Sequence, residues 1–208
     1  SCAGLSVAAV IGFVDYDRSN PPMLFNSAAV IYRGEIIFRQ NKTLLPGYDV
    51  FDEYRYFSPA AASGLFSFKG KTIGITICED IWAAFREDNS PFLEQRRYQK
   101  DPVQSLAGSG ASLILNISAS PYIRGKRQAR MQMLTATARE SRVPVVYVNQ
   151  AGANDSLIFD GCSMYISAKG EICCHAAPFS EDLAMVDTES AAPCKVEISD
   201  IEDIRRAL

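Results

Sequence analysis

Three short apolar runs in the middle of the chain, Lys71 to Ile77, Ser112 to Ile117 and Val143 to Asn149, constrain the fold more than any other feature. Such runs, rich in β-branched residues and bounded by turn residues, read as buried strands. Between and before them, Gly125 to Ser141 predicts a helix with Met131, Leu134 and Ala138 on one face, and Pro91 to Ala107 predicts a second helix. Strands that alternate with helices imply α/β layers. Further strand candidates crowd the two ends: Leu5 to Asp15, Ser27 to Arg33 and Glu35 to Gln40, then Gly161 to Ile166, Ile172 to His175 and Leu183 to Val186. Gly34 and Gly170 separate adjacent candidates and mark two hairpins, so the expected sheets are mixed and not purely parallel.

With 208 residues, 48% of them hydrophobic and 22% charged, the chain can bury a substantial core as one large domain or two small ones. A net charge of −3 gives no general pull toward nucleic acid or an anionic membrane. The apolar runs are of strand length, and no N-terminal segment has the layout of an export signal. Six cysteines at positions 2, 78, 162, 173, 174 and 194 lack the spacing of a disulfide scaffold and read as reduced thiols of a cytosolic protein. Cys173-Cys174-His175 lacks the second spaced pair a metal site needs. Gly70-Lys71-Thr72 imitates the end of a phosphate loop, but it enters a strand where such a loop must open a helix. Arg127, Arg130, Arg139 and Arg142 read as a solvated basic helix face balanced by acids elsewhere.

Cys78 ends the first of the three runs, in Gly74-Ile75-Thr76-Ile77-Cys78-Glu79-Asp80-Ile81-Trp82. The carboxyl end of a strand is where open α/β sheets present reactive groups, because the strand fixes the backbone while the next turn exposes side chain and amides. A buried cysteine used as a small hydrophobe is the alternative. A thiol nucleophile needs a proton acceptor and oxyanion donors. His175 is the only histidine and has no evident orienting partner, which leaves carboxylates and a lysine as the natural helpers.

Four blocks carry a resemblance. Asn41-Lys42-Thr43-Leu44-Leu45-Pro46-Gly47-Tyr48-Asp49-Val50-Phe51-Asp52-Glu53-Tyr54-Arg55-Tyr56-Phe57 is followed by Cys78-Glu79-Asp80-Ile81-Trp82. Then come Asn116-Ile117-Ser118-Ala119-Ser120-Pro121-Tyr122 with Gly125-Lys126, and Val148-Asn149-Gln150-Ala151-Gly152 with Asp160-Gly161. In this order, over about residues 5 to 190, the chain resembles the carbon-nitrogen hydrolase (nitrilase) superfamily, and within it the glutaminase domains of glutamine-dependent NAD synthetases. The resemblance implies a four-layer α-β-β-α sandwich with mixed sheets, N-terminally incomplete, over residues 1 to 194, and a connector over 195 to 208 toward a C-terminal synthetase domain. It implies Cys78 as nucleophile, Lys42 as catalytic lysine and Glu53 as the supporting glutamate. Tyr48, Glu79, Ser120 and Lys126 fall where those domains contact L-glutamine, with Glu79 suited to the ammonium and Lys126 to the carboxylate. The Glu79 amide follows the nucleophile and is a candidate second oxyanion donor beside Lys42. A homo-oligomer is implied as well; ATP and Mg are expected only in the synthetase domain, and no cofactor in this one.

The superfamily's general-base glutamate belongs upstream of the region matching Leu5 to Asp15, and no Phe-Pro-Glu-like stretch occurs in the chain. The Ser-Gly-Gly loop of the synthetase domain is also lacking. The chain therefore reads as part of a glutaminase that is inert by itself. Two alternatives stand beside that reading: another amidase or carbamoylase of the superfamily, and a non-catalytic interaction module that keeps the fold.

Overall fold

The computed structural model describes residue 4 and residues 6–18, 23–48, 51–83 and 98–208. The first three strands, β1 (Ala8–Asp17), β2 (Met23–Tyr32) and β3 (Glu35–Asn41), form an antiparallel sheet in the order β1-β2-β3. Arg33 and Gly34, both with positive φ, close the expected hairpin between β2 and β3. Two left-handed residues in a two-residue loop match the right-handed twist of the flanking strands.

A second sheet has six strands. β4 (Leu65–Phe68), β5 (Lys71–Ile77), β6 (Leu113–Ser118) and β7 (Val145–Asn149) precede a small separate hairpin, β8 (Ala151–Asn154) with β9 (Leu157–Asp160), and β10 (Met164–Ile166) and β11 (Ile172–His175) follow it. The order across the sheet is β11-β10-β7-β6-β5-β4. β5, β6 and β7 are parallel, and every other pairing is antiparallel. The three apolar runs thus become the parallel centre of a mixed sheet, and their carboxyl ends, Ile77, Ser118 and Asn149, lie along one edge.

Two helices, α1 (Pro102–Gly108) and α2 (Lys126–Ser141), cover one face of this sheet. Leu106, Met133, Leu134 and Ala138 bury against Ile114, Val145, Tyr147, Met164 and Ile166. Each buried Leu, Ile, Val or Met side chain contributes about 1.5–3 kcal/mol. Gly74 lets α1 approach, because a Cβ there would stand 2.8 Å from Leu106 Cδ1. On the opposite face Ile75 and Ile77 meet Ala28 and Val30 of β2, so the two sheets stack. The described residues form α-β-β layers, and Ile11 and Ile37 on the three-stranded sheet stay 46% and 42% exposed. No described helix is long and apolar enough to cross a membrane.

Several expectations need correction. Leu183 to Val186 is not a strand: Leu183 and Met185 stand in solvent, and Asp182 and Asp187 bind the backbone of nearby turns in place of a ladder. The strand expected from Gly161 begins at Met164, because Gly161 and Cys162 have φ of 62° and 56°, which breaks pairing. Of the helix expected over Pro91 to Ala107, positions 91–97 lie outside the described residues. The described helix starts at Pro102, with Asp101 accepting the Gln104 amide at 3.0 Å as its N-cap. Arg127 and Arg130 are not on a solvated face. Both are buried, paired with Asp203 and Asp160, while Arg139 and Arg142 are exposed. The tail ends in α3 (Asp200–Ala207), which the Arg127–Asp203 pair at 2.8 Å ties back to α2.

Candidate active site

The loop after β3, the turn after β5 and the loop after β6 converge on one cavity of about 470 Å³. All seven residues singled out from the sequence line it: Lys42, Tyr48, Glu53, Cys78, Glu79, Ser120 and Lys126. Phe51, Trp82, Ile117, Leu157 and Phe159 supply apolar walls. An apolar pocket of this size with a few convergent polar groups suits a small ligand.

Cys78 opens a 3-10 turn, Cys78–Trp82, with φ of +47°. A non-glycine residue in the left-handed region costs of order 1–2 kcal/mol and persists where surrounding structure over-determines it. Asp80 is the reason it persists here. One carboxylate oxygen accepts the Thr43 and Leu44 amides at 3.0 and 2.7 Å, and the other accepts the Ile77 amide at 3.0 Å. Burial pushes Asp80 up to about 6, against the pull of those amides and of Lys42. The same carboxylate thereby clamps the turn bearing Cys78 to the strand exit bearing Lys42.

Lys42 is 1% exposed, and its Nζ donates to Glu53 Oε1 at 2.6 Å. Asn26 Nδ2 donates to the other oxygen of Glu53 at 3.4 Å. Burial alone lowers the ammonium's pKa, but the fields of Cys78 and Glu53 and the Glu53 hydrogen bond outweigh it, so the pKa lies above the usual lysine value. The cation is therefore fixed beside the thiol. Glu79 is buried, with Oε2 accepting from the Tyr48 hydroxyl at 2.8 Å and Oε1 from the Tyr98 hydroxyl at 3.0 Å. Ser120 is held by Asn149, whose side chain accepts the Ser120 amide at 2.8 Å and donates to its carbonyl at 3.4 Å. Lys126 is the first residue of α2, after Gly125 with φ of 80°, and it is buried against the cavity.

Sequence reasoning missed Asn26, the clamp role of Asp80, and Tyr98. Asp80 stood inside a quoted motif, yet its partners are 36 and 37 residues away. Nothing in the local pattern marks Asn26 or Tyr98. His175 does not line the cavity; burial, with Arg127 and Arg130 nearby, holds it down to about 4 and so neutral. The five described cysteines are free thiols. Among the described residues no three His, Cys, Asp or Glu side chains converge on a possible metal position.

Residues 93–192 match the family model described as carbon-nitrogen hydrolase, and the chain carries a domain of that family. It is 42% identical over 185 residues to the glutamine-dependent NAD(+) synthetase of Synechocystis sp., covering 87% of this chain and 32% of that protein. The structure of glutamine-dependent NAD+ synthetase from Acinetobacter baumannii in complex with ADP superposes with a TM-score of 0.83 at 32% identity, over 97% of this chain and 36% of that one. The carbon-nitrogen hydrolase from Helicobacter pylori shares the fold, with a TM-score of 0.70 at 20% identity, over 86% of this chain and 61% of that one. The chain spans about a third of the length of the curated relatives it matches.

Proposed function

We propose that this chain is the glutamine-hydrolysing part of a glutamine-dependent NAD synthetase. The observation that carries the reading is the shared cavity: Cys78, the Lys42–Glu53 pair, and the oppositely charged Glu79 and Lys126 all line it. A free amino acid presents an ammonium and a carboxylate, and a carboxylate and a lysine at a helix N-terminus answer those charges. Tyr48 and Ser120 complete the glutamine contacts.

Cys78 attacks the side-chain amide carbon of glutamine, and the oxyanion faces Lys42 and the Glu79 amide. The C–N bond breaks, ammonia leaves with the proton that a carboxylate took from the Cys78 thiol, and a thioester remains on Cys78. Water then hydrolyses the thioester to glutamate and regenerates the thiol. Glu53 is bound to Lys42 and Glu79 accepts from two tyrosines; the resemblance to the superfamily implies a further, upstream glutamate as the base that carries this proton. The 208-residue chain alone is accordingly expected to be inert. Ammonia serves an ATP- and Mg-dependent C-terminal synthetase domain that amidates deamido-NAD, within a cytoplasmic homo-oligomer, and this part itself needs no cofactor.

The test is ammonia release from glutamine by the full-length protein and by its Cys78→Ala variant. Release by the first and none by the second is expected. Turnover of simple aliphatic amides with none of glutamine would assign the chain to another amidase of the superfamily. Glutamine hydrolysis by the 208-residue chain, lost in Cys78→Ala, would overturn the need for an outside base.

A further inference from the structure

Tyr98 reaches Glu79 without lining the cavity. Its hydroxyl donates to Glu79 Oε1 at 3.0 Å while the Tyr48 hydroxyl donates to Oε2 at 2.8 Å, so two phenols from segments fifty residues apart grip the two oxygens of one carboxylate. Neither donor is charged, so these two bonds aim the carboxylate without adding a cation to it. A bond to one oxygen restrains the last torsion, which is broad for glutamate, less than bonds to both oxygens do. The second bond fixes the plane.

The segment bearing Tyr98 is itself anchored. Lys100 Nζ donates to the Ala61 carbonyl at 3.2 Å, and Asp101 caps α1. Val103 and Leu106 of α1 bury against Ile81 and Trp82, in the same 3-10 turn that carries Cys78 and Glu79. The phenol thus stands four residues before the helix that packs against its acceptor's turn, a rigid support of the kind that orients a group instead of merely touching it.

We propose that Tyr98 is a positioning residue that sets selectivity for substrates bearing an α-ammonium group by fixing the direction of Glu79, an assignment that rests on the glutaminase reading. Losing the hydroxyl weakens recognition of the ammonium and leaves the reacting amide end unaffected, because Cys78 and Lys42 are oriented by Asp80 and Glu53.

The experiment compares wild type, Tyr98→Phe, Glu79→Gln and the double variant in the full-length protein. It uses glutamine as substrate and glutaramate, which is glutamine without its α-amino group, as a competing ligand. Tyr98→Phe is expected to raise the glutamine KM about tenfold, the scale of a charge-assisted hydrogen bond, with the loss in KM and not kcat and with glutaramate binding unchanged. Adding Tyr98→Phe to Glu79→Gln is expected to cause no further loss, since the tyrosine acts through the glutamate. Equal weakening of glutamine and glutaramate, a fall in kcat, or additive losses in the double variant would each overturn the proposal. So would unchanged kinetics of Tyr98→Phe in a protein that hydrolyses glutamine, leaving the glutaminase reading intact. A wild-type protein that releases no ammonia from glutamine overturns both together.

Discussion

Asp80 accepts the Leu44 backbone amide at 2.7 Å across 36 residues of sequence, and that bond ties the turn bearing Cys78 to the loop bearing Lys42. With Thr43 and Ile77 it accepts three amides in all. An asparagine offers a single acceptor oxygen and turns an NH2 group toward one of those donors. Asp80→Asn should cost about 2–4 kcal/mol, the scale of buried donors left unsatisfied, read as a lowered midpoint in urea. Its folded pKa of about 6 lies above the unfolded value of 3.8. Between those values the native state holds the extra proton, so this group's contribution to stability falls as pH rises from about 4 to 6. The variant should lose that slope. A wild-type stability that rises across this window only because of Asp80 would contradict the assignment.

The Lys42–Glu53 pair predicts a different pH profile. Lys42 has its pKa raised above 10.5, so the pair's stabilisation is fully present below that pH and is lost as pH climbs through the higher folded value. Near neutrality the contribution is flat. Glu53→Gln leaves the buried ammonium without its charge partner and should cost about 3 kcal/mol, softened by the partial exposure of Glu53. Lys42→Met should lower kcat by about 10²–10³-fold, as expected for one lost oxyanion donor, while the melting temperature changes far less than in Glu53→Gln.

How far the sequence spoke depended on the range of the interactions involved. The three central strands follow from local pattern, since runs such as Ile73 to Ile77 are apolar enough to be buried on both faces. Cys78 was legible for the same reason: it ends such a run. The arginines of α2 were misread because a helix's own sequence does not reveal a partner supplied from afar. Asp160 and Asp203 lie 30 and 76 residues from Arg130 and Arg127. Tyr98 was invisible because its bond to Glu79 exists only after α1 has docked on the 3-10 turn. The strand expected at Leu183 to Val186 failed because an apolar run alone does not supply a ladder partner.

Backbone strain at Cys78 gives a prediction that separates chemistry from stability. Its φ of +47° disfavours any side chain, and glycine alone adopts it freely. Cys78→Gly and Cys78→Ala should both abolish turnover, since each removes the thiol. Cys78→Gly should nonetheless be the more stable by about 1 kcal/mol, the left-handed penalty less glycine's larger unfolded-state entropy. Thermal unfolding of the two inactive variants side by side decides it. A higher midpoint for the alanine variant would show that the turn relaxes and stores no strain.

Arg130 and Asp160 form the most deeply buried ion pair among the described residues, each side chain 1% exposed. Arg130 Nη1 donates to Asp160 Oδ1 at 3.1 Å and Nη2 to Oδ2, while its guanidinium lies 5.6 Å from the Tyr147 ring centroid. Asn149 Nδ2 also donates to Asp160 at 3.4 Å and to the Gly161 carbonyl at 3.0 Å, and Asn149 holds both backbone groups of Ser120. The pair thus supports the cavity wall through one asparagine. Asp160→Ala strands a buried guanidinium and should cost about 3–5 kcal/mol. Arg130→Met combined with Asp160→Leu removes both charges and should recover more than half of that loss, because desolvation offsets much of a buried pair's attraction. Glutamine KM should stay raised in both variants, since Asn149 loses a partner in each and Ser120 loosens with it. Full recovery of stability with normal KM would mean that Asp160 serves Arg130 alone and does not shape the cavity.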